Sequence, residues 1–155
     1  MSEMERRRRI KARNVCKQAW IYLKRTQVDD LSLAMRISWL RIKSQLRVHH
    51  SKVRGVTYGK RQKLLKRLSC YREEEIKLVA CRAYDNHYDR FAVELYASVK
   101  GKGTACIGYF SRQLAEGLAY MMDEEGARVL PVLENITGGG KGRAFGVNFS
   151  FVVVR

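Results

Sequence analysis

The sequence predicts an α+β protein: a small curled β-sheet or partial barrel of six strands with two helices, preceded by a basic helical hairpin. Three observations predict it. Residues 1–50 carry apolar side chains at helical spacing, whereas residues 51–155 carry short alternating apolar segments divided by turn residues. Charge divides the chain as well. Residues 1–70 hold 20 Lys/Arg and 4 Asp/Glu, a difference of +16, while residues 71–155 hold 11 of each. The expected organisation is a basic helical extension over 1–50 and a β-rich module over 51–155.

Arg6, Arg7, Arg8 and Arg9 are consecutive. Such a run repels itself, so it is expected to form a frayed arm. From Ile10 to Arg25, Ala12, Val15, Cys16, Ala19, Tyr22 and Leu23 share one face at 100° per residue, which predicts an amphipathic helix with a basic outer side. Asp29 or Asp30 is placed to cap a second helix over 31–47. That helix has two apolar stripes, Leu33/Ile37/Leu40 and Met35/Trp39/Ile42/Leu46. It therefore needs cover on two sides: the first helix on one, and the β-rich module or a second subunit, as a dimer, on the other. Helix-turn-helix is the weaker alternative, because the turn lacks glycine and no recognition face stands out.

In the module, Val53–Tyr58 reads as a short strand and Gly59–Leu68 as a basic helix. Ile76–Ala83, Phe91–Val99 and Ala105–Phe110 read as strands. Ser111 is placed to cap a helix ending near Gly126, with Leu114, Ala115, Leu118, Ala119 and Met122 inward. Arg128–Ile136 and Phe145–Val154 are the last strands, joined by the glycine-rich segment 138–142. That segment lacks the following helix and the Lys-Ser/Thr end of a phosphate loop. It is expected to be a hairpin that offers Lys141 and Arg143 to phosphates.

The charge excess makes a polyanion the natural partner, with nucleic acid first. Single-stranded DNA, duplex DNA, RNA and an acidic protein all fit that requirement; an anionic membrane surface fits less well, because the first helix lacks a wide Leu/Phe/Trp face. No run of about 18 apolar residues exists to span a membrane, and no apolar stretch follows the arginines to act as a secretory signal, so a cytoplasmic protein is expected. Cys16, Cys70, Cys81 and Cys106 lack ligand spacing, as do His49, His50 and His87; no metal or cofactor site is expected. No nucleophile–base pair can be placed, and the 73–75 and 123–125 carboxylates read as solvated. The chain is expected not to be an enzyme.

One loop carries a recognisable pattern: Asp85-Asn86-His87-Tyr88-Asp89-Arg90-Phe91-Ala92-Val93. Asn86, His87 and Asp89 are turn formers. The segment resembles the signature of the HIRAN domain family, in which Asn-Pro-Tyr-Asp precedes a strand starting Ala-Val or Ala-Ile. Gly55-Val56-Thr57-Tyr58 resembles the family's first strand, and Ile107-Gly108-Tyr109-Phe110-Ser111-Arg112 its Val-Gly-His-Ile-x-Arg/Lys stretch. Residues 114–123 resemble the helix that follows. The sequence departs from the family at His87, Tyr109, Phe91 and Thr57, where proline, histidine, a small polar residue and arginine are usual.

The resemblance implies a small SH3- or OB-like module that binds the 3′ end of single-stranded DNA, as in fork-remodelling DNA-repair translocases. By position, Tyr58 and Tyr88 would stack on bases and Asp89 would accept from the terminal hydroxyl. Asn86 would shape the loop and Arg112 would hold a phosphate. Thr57 and Tyr109 occupy recognition positions, and Lys60, Arg61, Lys141, Arg143 and Arg6 to Arg9 would meet the backbone. Small free-standing members imply two alternatives. One is a module of the kind phages and mobile elements carry, which inhibits or recruits a nucleic-acid-processing host protein. The other is an architectural binder of duplex DNA.

Overall fold

The computed structural model describes residues 1–155. Helix α1 (Glu3–Arg25) begins before the arginines expected to fray and includes all four of them. Ser2 and Glu5 form a reciprocal capping box, with Glu5 N–H donating to Ser2 Oγ at 3.2 Å and Ser2 N–H to Glu5 Oε2 at 2.8 Å. Glu3 and Glu5 face the positive helix terminus, and Arg7 pairs with Glu3 at 2.9 Å. Successive arginines fan out by 100°, so of the four only Arg6 and Arg9, at i,i+3, share a face. Residues 1–14 are nevertheless all exposed, so the first turns of α1 stand free of the rest of the protein.

Helix α2 (Leu31–Ile42) is capped by Asp30, which accepts from Ser32 N–H at 3.0 Å. It stops earlier than the expected 47. Ser44 adopts φ 60°, Ser44 N–H donates to Arg41 O, and Gln45 N–H reaches Leu40 O at 2.9 Å. This is a Schellman-type end with serine where glycine is usual, so the stop was invisible to pattern reading.

Strand β1 (His49–Lys52) lies across the expected boundary at residues 50–51 and pairs antiparallel with β6 (Gly146–Val154), which pairs with β5 (Arg128–Thr137). The second sheet is β2 (Ile76–Arg82), β3 (Val93–Val99) and β4 (Gly103–Tyr109), in that order. Helix α3 (Arg61–Leu68) follows β1, and α4 (Arg112–Glu124) follows β4. The number of strands, six, and the two module helices match expectation, although the first strand is 49–52 rather than 53–58, and the protein is α+β. The strands form two three-stranded sheets linked by the chain after β1. Val53 N–H donates to Val147 O at 3.0 Å, and Arg54 and Tyr109 exchange both backbone bonds at 2.8 Å. The arrangement is therefore a partial barrel.

The expected strand over 53–58 is not formed. Gly55 turns with φ +74° and Tyr58 N–H donates back to Gly55 O. The crossing of residues 53–54 over β4 depends on Gly108 (φ +154°): a Cβ there would lie 2.3 Å from Arg54 O and 2.5 Å from Val53 Cγ1.

Two cores result. Leu78, Val93, Leu95, Ile107, Phe149 and Phe151 belong to the core enclosed by the sheets. On the outer face of the other sheet, Leu130, Val152 and Val154 pack against Ala19, Tyr22, Ala34 and Ile37 of the hairpin. Strands β5 and β6 are thus covered on both sides, which explains the continuous apolar run at 151–154. Each of those aliphatic side chains contributes about 1.5–3 kcal/mol when fully buried, so the hairpin completes the fold. No helix is long and apolar enough to cross a membrane.

Candidate nucleic-acid interface

Between β2 and β3 the loop 83–92 is closed by Ala83 N–H donating to Ala92 O at 3.0 Å. Asn86 organises its tip. Asn86 Oδ1 accepts from Tyr88 N–H at 2.9 Å and Asp89 N–H at 3.0 Å, and Asp89 Oδ1 accepts from Phe91 N–H at 2.9 Å. These are the local side-chain bonds that favour Asn and Asp in turns. The peptide around Tyr88 is fixed while its ring is 89% exposed. Arg112, in the first turn of α4, donates to Tyr88 O at 3.1 Å and stands 4.0 Å from Asp89 Oδ2.

These residues surround a cleft of about 420 Å³ whose walls include Asn86, Tyr88, Asp89, Tyr109 and Arg112. Five of the residues singled out from sequence therefore converge. Arg54 also lines it and was missed, because residues 53–58 looked like a strand rather than a crossing and a turn. Ser111 precedes α4 without a side-chain capping bond, and it too borders the cleft.

Tyr58 lies elsewhere. It is 76% exposed and borders a second depression of about 360 Å³ with Lys60, Arg61 and Cys106. Arg61 of this second depression packs against Tyr109 of the first. Its guanidinium lies 5.0 Å from the centre of the Tyr109 ring and donates to Gly55 O at 2.8 Å. Thr57 is exposed on the turn before Tyr58 and lines neither depression. Lys141 and Arg143 are exposed on the β5–β6 hairpin and also line neither. That hairpin is tied to the Tyr58 turn by Gln62, whose amide donates to Val56 O and Phe145 O and accepts from Phe145 N–H. Arg6 to Arg9 project from the free turns of α1 and reach neither depression.

A second group missed from sequence braces the Tyr88 loop. Arg82 is nearly buried and donates to both Asp123 oxygens at 3.2 Å, to Ala92 O at 2.6 Å and to Arg90 O at 3.0 Å. Tyr84 OH donates to Asp123 Oδ1 at 2.6 Å. The Tyr84 hydroxyl and then Arg82 hold the Asp123 carboxyl below its ordinary range, and the same bond raises the Tyr84 phenol. Asp123, expected to be merely solvated, thus ties loop to helix. Burial pushes up the thiols of Cys81 and Cys106.

The fold and site define a class: a small α+β module with an open cleft that sets an exposed tyrosine beside a carboxylate and a guanidinium. Two solved structures are similar to this chain. One is the crystal structure of the HIRAN domain of human HLTF, 21% identical over 70% of this chain and 76% of that chain, with a TM-score of 0.48. The other is a protein from Lactobacillus plantarum, 18% identical over 68% of this chain and 98% of that chain, with a TM-score of 0.43. No family model matches the sequence, and no curated protein does.

Proposed function

We propose that this is a non-catalytic nucleic-acid-binding protein whose cleft takes the 3′ end of single-stranded DNA. In this reading residues 51–155 are the HIRAN-like module and residues 1–50 its phosphate-contacting extension. The observation that carries the proposal is the Tyr88–Asp89–Arg112 group. An aromatic ring on a fixed peptide offers a stacking platform that tolerates any base. Asp89 Oδ1 is engaged with Phe91 N–H while Oδ2 faces the cleft side of Arg112. A carboxylate accepts from a terminal hydroxyl and repels a terminal phosphate, and the neighbouring guanidinium suits the preceding phosphodiester. Tyr58, across Arg61 and Tyr109, would receive the next bases.

The test is a titration at fixed salt with three single strands, ending in a free 3′-hydroxyl, a 3′-phosphate, or a blocked 3′ end with only its 5′ end free. Tightest binding to the 3′-hydroxyl strand is expected. Equal affinity for all three would leave only charge-driven binding and refute end recognition.

A further inference from the structure

We propose that the groove between α1 and α2 docks an acidic amphipathic helix of a partner protein. The groove, of about 410 Å³, has Ala12, Val15 and Cys16 on the α1 side and Met35 and Trp39 on the α2 side, with Arg36 at its edge. Ala12 and Cys16 are one turn apart, as are Met35 and Trp39. Two antiparallel ridges, one of small and one of large side chains, leave a trough along the seam. This is the shape in which an amphipathic helix lays its apolar face. The second stripe of α2 was expected to need cover; the sheet and α1 bury Ala34 and Ile37, and Trp39 stays 40% exposed.

Charge decides what fits. Arg8 lies one turn before Ala12, Lys11 one turn before Val15, and Arg36 lines the trough. The Lys43 ammonium sits 4.7 Å from the Trp39 ring centre. The nearby carboxylates are spoken for: Glu3 pairs with Arg7, Glu5 closes the capping box, and Asp30 caps α2 at the far end. A second copy would bring the same cations face to face, and like-charge juxtaposition is costly. A nucleic acid satisfies the cations and offers no aliphatic face for Met35 and Ala12. A helix with leucine-type residues on one side and Asp/Glu on its flanks satisfies both. Large aromatics at the centre of such contacts carry much of the affinity. The groove shares no residue with the Tyr88 cleft, so the two proposals stand or fall separately.

The probe is a synthetic amphipathic peptide with Leu along one face and Glu on the others, titrated into the full chain carrying Trp20→Phe. Trp39 is then the only tryptophan, since the chain has 2. The peptide should shift Trp39 emission and bind roughly tenfold or more tightly than a scrambled peptide of identical composition. Trp39→Glu and, on the opposite wall, Cys16→Glu should each abolish that advantage while leaving any preference for a 3′-hydroxyl over a 3′-phosphate end, which the separate Tyr88 cleft would set, unchanged. Both positions are exposed, and whichever variant keeps the wild-type urea midpoint decides the result. Equal binding of the scrambled peptide, or undiminished binding by a folded variant, overturns the proposal. So does an oligonucleotide that shifts Trp39 emission as strongly as the peptide, or a free protein that sediments as a dimer with Trp39 shielded.

Discussion

Tyr88→Ala separates recognition from folding. The ring is 89% exposed and packs on no core residue, while the peptide is held through its N–H by Asn86 and through its carbonyl by Arg112. Removing a ring from such a site should change folding stability by no more than about 0.5 kcal/mol. Removing a stacking platform should weaken single-strand binding by about 1–3 kcal/mol, roughly 5- to 150-fold. Anisotropy titration of a labelled 3′-hydroxyl strand at one salt concentration reads the second quantity, and the urea midpoint reads the first. Tyr58→Ala should behave alike, because Tyr58 borders its own depression and is 76% exposed. The two losses should add to within about 0.5 kcal/mol if each ring stacks on a different base. Wild-type affinity in both single variants would refute stacking in these depressions and leave the aromatics as surface residues.

Further outcomes follow from other parts of the molecule. Asp89→Ala should erase the preference for 3′-hydroxyl over 3′-phosphate while bulk binding persists; a preserved preference in the same competition assay would place hydroxyl recognition elsewhere. Replacing Arg6 to Arg9 with alanine should reduce the log–log salt slope by up to about 2.8, at about 0.7 per phosphate neutralised, without changing end preference; an unchanged slope would remove α1 from the bound surface. Gly108→Ala should lower the urea midpoint markedly, since its Cβ would meet Arg54 O at 2.3 Å, and a wild-type midpoint would show that the crossing can shift. The Asp123 carboxyl is held low in the folded protein, so its stabilisation is present above the ordinary carboxylate pKa and is lost as pH falls through the depressed one. The protection of amides in loop 83–92, taken against their intrinsic exchange at the same pH, should therefore fall below about pH 4, and Asp123→Asn should remove that acid-dependent step.

What pattern reading captured, and what it missed, divides by the range of the interactions. Strand 93–99 and helix 112–124 have strong periodicity, because one face of each is buried against the core, whereas strand 128–137 reads as an apolar run because both of its faces are covered. The Asn86–Asp89 turn was legible because its bonds span two or three residues. Gln62 was not: its partners include Phe145, 83 residues away. Arg82 was not either, since Asp123 lies 41 residues on. Ser44 ends α2 in a left-handed conformation that serine seldom adopts. The arginine run is helical rather than frayed: a capping box at Ser2 and Glu5, with Glu3 paired to Arg7, opens the helix ahead of it.

The same long-range geometry bears on where the positive charge acts. Residues 1–50 hold 13 Lys/Arg against 4 Asp/Glu, and residues 51–70 hold 7 Lys/Arg and no carboxylate. The second block builds the turn and α3 around Tyr58, and Arg54 and Arg61 from it reach the two depressions. The cleft therefore has its own cations, with Arg112 added from α4. The first block lies on a hairpin packed against the outer face of β5 and β6. Exposed charges act over about 8–10 Å at physiological ionic strength, so a strand held in the cleft engages the 51–70 block first. It feels the arginine helix only if it continues over the hairpin. Under the proposed function, end preference would belong to the cleft and its own cations, and dependence on strand length to α1. Lengthening the 5′ side of a bound strand should steepen the salt slope in the wild type and leave it flat in the protein lacking Arg6 to Arg9; identical steepening in both would mean that the cleft-side cations alone track the backbone.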